Sequence, residues 1–411
     1  MKAVVFTLGC KVNGCESEAL IAGLTERGYE VSDKLEKADV YIVNTCAVTA
    51  EAEKKSRQTA SRITKLNPEA KIIFTGCAAE KNPESFKIKS DKYLVTGVFG
   101  KNKILEFLDA SGEMIFPHDK VFEELTPIKT LKKRAFIKVQ DGCDNFCSYC
   151  IIPYLRGRSR SRDPEKIKEE IIAAGAKEAV ITGIDLSDYE YRGLSLAVLL
   201  EKLKDVKTRI RLGSLEERVI TEEFLNACKN LYDFAPHFHL SLQSGSDAVL
   251  KKMNRHYTAR EFLEKTELVR KFFPDAGITT DVIAGFPTET EEDFSATLSL
   301  IEKAGFTDIH PFIYSPRSGT AAYKMKDLPY AVKKLRLDKL LEIKEKIKSD
   351  FVKRETGKIL SFLPEEEKDD YTAGYTGNYL RLYVKGCNCE GPSVCARVIK
   401  GYADGAIAEL V

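Results

Sequence analysis

The sequence predicts an α/β protein built from an open parallel α/β domain, a partial (β/α)6 barrel and a small C-terminal β-barrel. Three observations predict this fold class. Apolar runs alternate with helical stretches over residues 1–118, six strand–helix units follow over residues 129–350, and short strands separated by glycines fill residues 354–411. A chain of 411 residues is longer than a single domain usually is, which agrees with three domains.

The first domain contains three apolar runs typical of buried parallel strands: KAVVFTL, ADVYIVN and AKIIFTG. The stretch ESEALIAGLTERG predicts an amphipathic helix that ends at Gly28. A cysteine follows each run within two residues, namely Cys10, Cys46 and Cys77. Because ligands bind beyond the carboxyl ends of parallel strands, we expect three thiols on one rim of the sheet. Burial of these cysteines as ordinary core residues is the alternative.

The second domain contains six runs that predict barrel strands: AFIKVQDG, EAVITGID, RIRLGSLE, HFHLSLQS, ITTDVIAG and DIHPFIYS. Helical stretches separate them, such as DPEKIKEEIIAAGA, in which Asp163 is placed to cap the helix and Pro164 to begin it. The site of such a barrel lies at the carboxyl ends of its strands. The third domain has the segments KILSFL, YTAGYTG, NYLRLYVKG, SVCARVIKGYADG and AIAELV, which predict a small β-barrel.

The stretch GCDNFCSYC follows the first barrel strand and holds Cys143, Cys147 and Cys150. Three thiolates bind three irons of a four-iron cluster and leave the fourth open for a ligand. A zinc site completed by a distant histidine is the alternative. The other strand ends carry small or polar residues that we expect around a bound cofactor: Gly183, Asp185, Ser214, Glu216, Gln243 and Ser244.

The composition of the chain indicates its cellular compartment and limits the kinds of partner it can bind. Hydrophobic residues make up 43% of the chain and charged residues 31%, as in ordinary globular proteins. The first apolar run is too short for a signal peptide, and eleven cysteines favour metal or redox chemistry in a reducing compartment. We therefore expect a cytoplasmic protein without a membrane partner. The net charge is +2, so binding to a nucleic acid would need a local basic patch.

The stretch LRGRSRSR, directly after the cysteine stretch, provides such a patch because it holds four arginines and no acidic residue. Arginine binds phosphate through two parallel hydrogen bonds, which suits an RNA backbone. Arginines that pair with carboxylates of the barrel are the alternative interpretation. We predict phosphate contacts for Arg156, Arg158, Arg160 and Arg162.

The CxxxCxxC spacing, with Tyr149 before the last cysteine, resembles the signature of radical S-adenosyl-L-methionine enzymes. The resemblance implies a [4Fe-4S] cluster on Cys143, Cys147 and Cys150 whose open iron binds S-adenosyl-L-methionine. One electron then cleaves this cofactor to a 5′-deoxyadenosyl radical. Tyr149 and the strand-end residues given above are implied as cofactor contacts. An electron donor such as flavodoxin or ferredoxin is implied as a partner.

From end to end the chain resembles the methylthiotransferase family, which implies a second [4Fe-4S] cluster on Cys10, Cys46 and Cys77. The C-terminal domain resembles the TRAM domain, an RNA-binding β-barrel, and SPRSGT at residues 315–320 resembles the segment after the family's barrel. TLGCKVN around Cys10 is similar to the branch that acts on N6-threonylcarbamoyladenosine. The isopentenyladenosine branch tends to carry GCQMN there, and the ribosomal-protein branch GCPKN.

This resemblance implies a monomeric enzyme that adds a 2-methylthio group to threonylcarbamoyladenosine at position 37 of tRNA, in the anticodon stem-loop. An isopentenyladenosine tRNA methylthiotransferase and a non-catalytic iron–sulfur protein that binds RNA are the alternatives. The threonyl group of the implied substrate carries a carboxylate, so its pocket needs a cation or several donors. We expect Lys11, beside Cys10, or Arg317, after the sixth barrel strand, to meet it. A lysine beside a negatively charged cluster would equally well balance the charge of the cluster.

Two features depart from the family pattern. Cys15 lies five residues after Cys10, and we expect helix geometry to turn it away from the strand end. A CNCEGPSVC segment adds three cysteines to the C-terminal domain, and a zinc site is one explanation of the CxC spacing. We predict no role in the chemistry for these three cysteines: Cys387, Cys389 and Cys395.

Overall fold

The computed structural model describes residues 1–88, 91–125, 133–387 and 393–411 of the chain. Its N-terminal domain is a six-stranded parallel sheet flanked by helices. The strands are β1 (Lys2–Thr7), β2 (Glu30–Ser32), β3 (Val40–Thr45), β4 (Lys71–Gly76), β5 (Tyr93–Thr96) and β6 (Gly112–Met114). The helices are α1 (Lys11–Glu26), α2 (Ala50–Leu66) and α3 (Cys77–Lys81). The order across the sheet is β2–β1–β3–β4–β5–β6.

The three predicted apolar runs form the centre of this sheet, because their side chains are buried on both faces. Val4 and Phe74 belong to the core on one face, and Val5 and Ile73 belong to the core on the other. The prediction of an open parallel α/β domain is therefore confirmed. The sequence did not predict β2, β5 and β6, whose three or four residues are too few for a clear pattern.

The barrel domain contains six main strands, and five two-residue strands lie between them. In chain order they are β7 (Arg134–Lys138), β8 (Gln140–Asp141), β9 (Arg160–Ser161), β10 (Glu178–Thr182), β11 (Glu190–Tyr191), β12 (Leu194–Ser195), β13 (Arg209–Leu212), β14 (Ser214–Leu215), β15 (His237–Leu240), β16 (Gly277–Ala284) and β17 (Asp308–Ile313). β10 pairs in parallel with β7 and with β13, and β14 continues β13. β14 pairs with β15, β15 with β16, and β16 with β17, all in parallel. This arc confirms the predicted partial (β/α)6 barrel.

Helices alternate with these strands along the chain. They are α4 (Ile152–Arg156), α5 (Pro164–Ala174), α6 (Leu196–Leu203), α7 (Glu222–Asn230), α8 (Asp247–Lys252), α9 (Ala259–Phe272), α10 (Glu291–Ala304) and α11 (Tyr330–Glu355). As predicted, Asp163 caps α5, and its carboxylate accepts a hydrogen bond from the backbone N–H of Glu165. Within the described ranges, no helix combines the length and the apolar character needed to cross a membrane.

The barrel is open on one side, because β7 and β17 do not pair within the described strands. The N-terminal domain lies across this opening. Helix α1 packs beside β7 on one side of the opening. On the other side, the backbone N–H of Ala50 donates to the hydroxyl of Ser315, past the end of β17, at 3.1 Å. Ile151 and Leu155, next to and within α4, complete the core of the N-terminal domain. The rim that carries the first cysteines therefore faces the lumen of the barrel.

The C-terminal domain is a closed five-stranded barrel joined to the second domain by α11. Its strands are β18 (Ile359–Lys368), β19 (Tyr371–Thr376), β20 (Arg381–Val384), β21 (Val394–Tyr402) and β22 (Gly405–Leu410). This barrel docks at the amino ends of the second domain's strands. Tyr379 stacks on His237, the first residue of β15, with ring centroids 4.4 Å apart, and Arg211 donates to the carbonyls of Thr376 and Gly377.

Candidate active site

The cysteine loop after β7 and β8 is fixed at the mouth of the barrel by the turn after α8. The hydroxyl of Ser148 donates to the carbonyl of Lys252 at 2.7 Å, and the backbone N–H of Ser148 donates to the carbonyl of Met253 at 2.9 Å. The side-chain amide of Asn254 donates to the carbonyls of Asn145 and Phe146. These hydrogen bonds hold the loop that carries Cys143, Cys147 and Cys150 in one conformation.

Two residues that the sequence analysis missed connect this loop to the strand ends. The amide of Asn145 donates to Asp185 at 2.7 Å and to Glu216 at 3.1 Å, which ties the loop to the ends of β10 and β14. Arg255 is buried, and its guanidinium donates to Glu216 at 2.6 Å and to the Sγ atom of Cys147 at 3.4 Å. Arg255 follows a helix rather than a strand, so a search of strand ends could not find it.

The predicted cofactor residues divide into two groups. Asp185 and Glu216 lie beside the cysteine loop, and burial, with the nearby carboxylates of Glu216 and Asp188, raises the pKa of Asp185 to about 7. Gly183 lies so close to Gln140 that a Cβ atom on it would be 2.8 Å from the amide oxygen. Ser214 is exposed. Gly183, Ser214 and Glu216 are thus at least partly exposed at the mouth, whereas Asp185 is buried and accepts hydrogen bonds from Asn145 and Arg218.

The remaining predicted residues are held by the protein itself. Gln243 bridges to β16 with a positive φ of 65°, and its side chain is half-buried. Tyr149 packs against the apolar cluster that contains Val249 and Phe286. Ser244 is fully buried, and its hydroxyl lies 3.3 Å from that of Thr297 on α10. The prediction of a cofactor contact for Ser244 is corrected, because its side chain points into the packing of the helix.

Cys10, Cys46 and Cys77 come together because hydrogen bonds join the three strand ends. Asn13 donates to the carbonyls of Leu8 and Thr45, next to the first two cysteines. The hydroxyl of Thr45 accepts from the backbone N–H groups of Ala78 and Ala79, next to the third. Gly9, at a φ of 104°, permits the closest approach, since a Cβ atom there would lie 2.8 Å from the Sγ atom of Cys46. Cys46 and Cys77 are buried, and Cys10 is exposed toward the lumen.

Arg156 is the centre of a buried ion network between this triad and the barrel. The side chain is fully buried, and it donates to Glu16, Asp141 and Asn13 at 2.9, 2.9 and 2.7 Å. Its positive charge also acts on the thiol of Cys77 and opposes the rise in pKa that burial causes there. The predicted phosphate contact of Arg156 is therefore wrong, because RNA cannot reach a guanidinium that is buried and already paired.

Two of the other three arginines in LRGRSRSR are also buried and paired with carboxylates. Arg160 and Arg162 are buried; Arg160 pairs with Asp141, and Arg162 pairs with Glu124 and Glu170. Of the four arginines Arg158 alone is exposed, with a 3.3 Å ion pair to Asp144. The predicted phosphate contacts of Arg160 and Arg162 are thus wrong as well, and the alternative of pairing with carboxylates describes them.

Of the two cations expected to meet a substrate carboxylate, the structure leaves one accessible. Arg317 is 3% exposed and pairs with Glu53 on α2, so it joins the N-terminal domain to the segment after β17. The expectation that Arg317 meets a substrate is corrected on this ground. Lys11 is exposed beside Cys10, and no described residue forms a hydrogen bond or an ion pair with its ammonium. Lys11 is the accessible one.

The cysteines outside the two sets lie away from the lumen rim. Cys15 is buried on the far side of α1 and lines a small cavity with Phe122 and Phe136, as helix geometry predicted. Cys387 is half-buried and Cys395 is exposed on β21. Cys389, in the CNCEGPSVC segment, lies outside the described residues.

Two thiols of each set have raised pKa values, which suits metal binding rather than the chemistry of a free thiolate. Burial raises the pKa of Cys46 to about 11 and that of Cys150 to about 12. Burial also raises the pKa of Cys77 and Cys143. Thiols of this kind stay protonated at neutral pH unless a bound cation stabilises the thiolate. Three sulfur ligands in each set suit iron–sulfur clusters or other soft metal centres.

Comparisons with known proteins agree with this site. The model of the Radical SAM superfamily matches residues 137–301, and that of the Uncharacterized protein family UPF0004 matches residues 2–100. The chain is 37% identical to the threonylcarbamoyladenosine tRNA methylthiotransferase MtaB of Bacillus subtilis (strain 168), over 100% of this chain and 97% of that protein. It is 38% identical to the tRNA-2-methylthio-N(6)-dimethylallyladenosine synthase of Thermoanaerobacter sp. (strain X514), over 87% of this chain and 81% of that one.

A solved structure shows the same fold at low identity. The radical S-adenosylmethionine methyltransferase TsrM from Kitasatospora setae matches with a TM-score of 0.53 and 15% identity, over 76% of this chain and 74% of that one. A partial barrel with three cysteines at its mouth and a matching superfamily model define a radical S-adenosylmethionine enzyme, a class that uses S-adenosylmethionine and a [4Fe-4S] cluster. The relatives that span nearly the whole chain narrow this class. The chain belongs to the radical S-adenosylmethionine methylthiotransferase family.

Proposed function

We propose that the protein is a tRNA methylthiotransferase that converts N6-threonylcarbamoyladenosine to its 2-methylthio derivative. The convergence of two three-thiol sets on one lumen carries this proposal, because sulfur insertion needs one centre for the radical and another for the sulfur. The relative of this name in Bacillus subtilis supports the choice of nucleoside, since its similarity covers the whole chain.

The thiols of Cys143, Cys147 and Cys150 would hold the cluster that binds S-adenosylmethionine. When bound, the cluster and S-adenosylmethionine together supply a radical that breaks an unreactive C–H bond. The carboxylates Asp185, Asp188 and Glu216 outnumber Arg218 and Arg255, with which they pair, and this excess beside the site suits a ligand that carries an ammonium and a sulfonium. Arg255 adds a hydrogen-bond donor at the Sγ atom of Cys147.

The thiols of Cys10, Cys46 and Cys77 would hold a second [4Fe-4S] cluster. The buried network beside this triad contains more cations than carboxylates, and the excess positive charge favours deprotonated thiols there. Its cations are Lys101, Lys138, Arg156 and Arg160, and its carboxylates are Glu16 and Asp141. In this arrangement sulfur would be presented from the N-terminal domain to a base held in the lumen.

The partners follow from this chemistry. The substrate is the anticodon stem-loop of a tRNA, and reductive cleavage of S-adenosylmethionine requires an electron donor such as flavodoxin or ferredoxin. The C-terminal barrel, joined rigidly to the base of the second domain through Tyr379 and Arg211, supports a role in holding the RNA.

The substrate assay tests the proposal. Reconstituted protein with reductant and S-adenosylmethionine is offered tRNA that carries threonylcarbamoyladenosine and, separately, tRNA that carries isopentenyladenosine. Mass spectrometry of the digested nucleosides should show the added methylthio group on the first substrate. Reaction with isopentenyladenosine instead would assign the chain to the function of its Thermoanaerobacter relative. Formation of 5′-deoxyadenosine without a product from either tRNA would contradict both.

A further inference from the structure

The inner wall of the barrel between β15 and β17 carries a set of polar side chains that no part of the cluster chemistry uses. In the parallel register His239 is level with Thr279, Asp281 with His310, and Ile283 with Phe312. Side chains that are level in adjacent parallel strands project from the same face of the sheet. The alternate residues, such as Val282 and Ile309, are buried in the core beneath the outer helices. The polar set therefore faces the lumen.

Hydrogen bonds hold this wall in one arrangement. The rings of His237 and His239 each lie 2.9 Å from the hydroxyl of Thr279, and His239 lies 3.3 Å from the carboxylate of Asp281. The ring of His310 packs 5.6 Å from that of His239. The side chain of Asp281 keeps 30% of its exposure, so the wall is accessible from the lumen. A polar wall that is held by hydrogen bonds and is still open is typical of a ligand pocket.

Phe312 is an aromatic residue left uncovered at the upper end of this wall. It is 49% exposed and is the last residue but one of β17, two residues beyond His310 toward the mouth. Aromatic rings exposed beside hydrogen-bonding groups are the usual partners of unstacked bases. The position of Phe312, between the polar wall and the mouth, would place a stacked base next to the radical site.

Lys11 is exposed at the start of α1, the helix that packs beside β7 on the other side of the barrel opening from β17. In agreement with this placement, its positive charge helps to lower the pKa of Asp281 on the polar wall. Cys10, its neighbour in the chain, is exposed to the same space. A ligand held between the wall and Lys11 therefore also lies beside the cysteine triad of the N-terminal domain.

We propose that Phe312, the wall of His239, Asp281 and His310, and Lys11 together form the pocket for a purine whose N6 substituent ends in a carboxylate. Phe312 stacks on the purine, and Lys11 pairs with the carboxylate. The assignment rests on the proposed function, since it names the residues that would recognise its nucleoside. It explains how one lumen selects an anionic substituent over an apolar one.

The test is a binding measurement, which does not depend on turnover. Reconstituted protein is titrated with two anticodon stem-loops of the same sequence, one with N6-threonylcarbamoyladenosine and one with unmodified adenosine. Phe312→Ala should weaken the binding of both RNAs by at least about fivefold, because stacking on any base is lost. Lys11→Gln should weaken the binding of the carboxylate-bearing RNA alone, by roughly tenfold. Lys11→Arg should retain most of the preference.

Matched variants separate this pocket from general effects. Tyr232 is 66% exposed and precedes the amino end of β15, outside the lumen, so Tyr232→Ala should bind both RNAs like the original protein. Phe312→Leu keeps the apolar volume without the ring and replaces the alanine variant if that one fails to fold. Unchanged binding in both Phe312 variants would overturn the pocket. An equal loss for both RNAs in Lys11→Gln would make Lys11 a phosphate contact instead. A failed substrate assay with these binding effects intact would reject the proposed reaction and keep the pocket.

Discussion

The two sets of three cysteines differ in how the chain brings their thiols together. In the barrel loop the cysteines lie within eight residues, and hydrogen bonds from Ser148 and Asn254 fix the loop. In the N-terminal domain they lie 36 and 31 residues apart and meet because three parallel strands end at one rim. A local spacing carries its own geometry, whereas a distributed set takes its geometry from the order of the strands.

Their electrostatic surroundings differ as well. Carboxylates outnumber cations beside the barrel loop, where Asp185, Asp188 and Glu216 pair with Arg218 and Arg255. Buried cations outnumber carboxylates beside the triad, where the charge of Arg156 acts on Cys77. The contrast indicates that the two sets accommodate different charges: a cationic ligand at the mouth and an anionic centre at the rim. Four predictions test this contrast, in order of decreasing effect.

The largest effect is expected from removing the barrel cysteines. Replacement of Cys143, Cys147 and Cys150 by alanine should abolish formation of 5′-deoxyadenosine from S-adenosylmethionine, because no thiolates remain to hold the cluster at the mouth. Chromatography of the nucleoside products measures this loss. Cys395→Ser, on the exposed face of the C-terminal barrel, is the matched control and should cleave the cofactor normally. Cleavage that survives in the triple variant would remove the barrel loop from the chemistry.

Removing the cysteines of the triad should stop formation of the methylthio product but not cleavage of S-adenosylmethionine. With Cys10, Cys46 and Cys77 replaced by alanine, we expect the iron content to fall by about half and the methylthio product to disappear. Formation of 5′-deoxyadenosine should persist, because the barrel site is intact. Iron analysis and nucleoside mass spectrometry are run on the same anaerobic preparation. An iron content equal to that of the original protein would exclude the second cluster.

Loss of Arg156 should destabilise the fold rather than weaken RNA binding. Arg156→Met leaves Glu16 and Asp141 buried without their central partner, which costs about 3–5 kcal/mol in the free energy of unfolding. Urea denaturation of the metal-free protein measures the change. Arg158→Met, at the exposed neighbour in the same stretch, is the control and should shift the free energy by less than about 0.5 kcal/mol. Equal midpoints for the two variants would contradict the buried network.

The smallest effect concerns the exposed arginine. Arg158→Ala should weaken tRNA binding at low salt and reduce the slope of log affinity against log salt by roughly one unit, because one phosphate contact is lost. Arg160→Ala should leave that slope unchanged, since its side chain is buried against Asp141. Titrations at several salt concentrations measure both slopes. A reduced slope in the Arg160 variant would instead support the prediction, made from the sequence, that the arginines of this stretch form a continuous basic strip.

The sequence by itself determined the architecture and the candidate ligands. Period-two and buried strand patterns defined the sheet, the partial barrel and the small barrel, and the cysteines could be located because each follows a strand or lies in a local motif. Residues such as Asp185 and Glu216 were found by the same rule. These signals are local in the chain, so they do not depend on knowing which domains touch.

The tertiary structure alone decided which charged residues are available to a partner. LRGRSRSR looks like a uniform basic strip, yet the packing of α1 and α4 buries Arg156 against Glu16, 140 residues away, and leaves Arg158 exposed. The role of Arg255 and the inner wall at His310 and Phe312 also became visible only from contacts between distant segments of the barrel. The physical reason is that burial and ion pairing are set by contacts between distant segments, which no local pattern in the chain encodes.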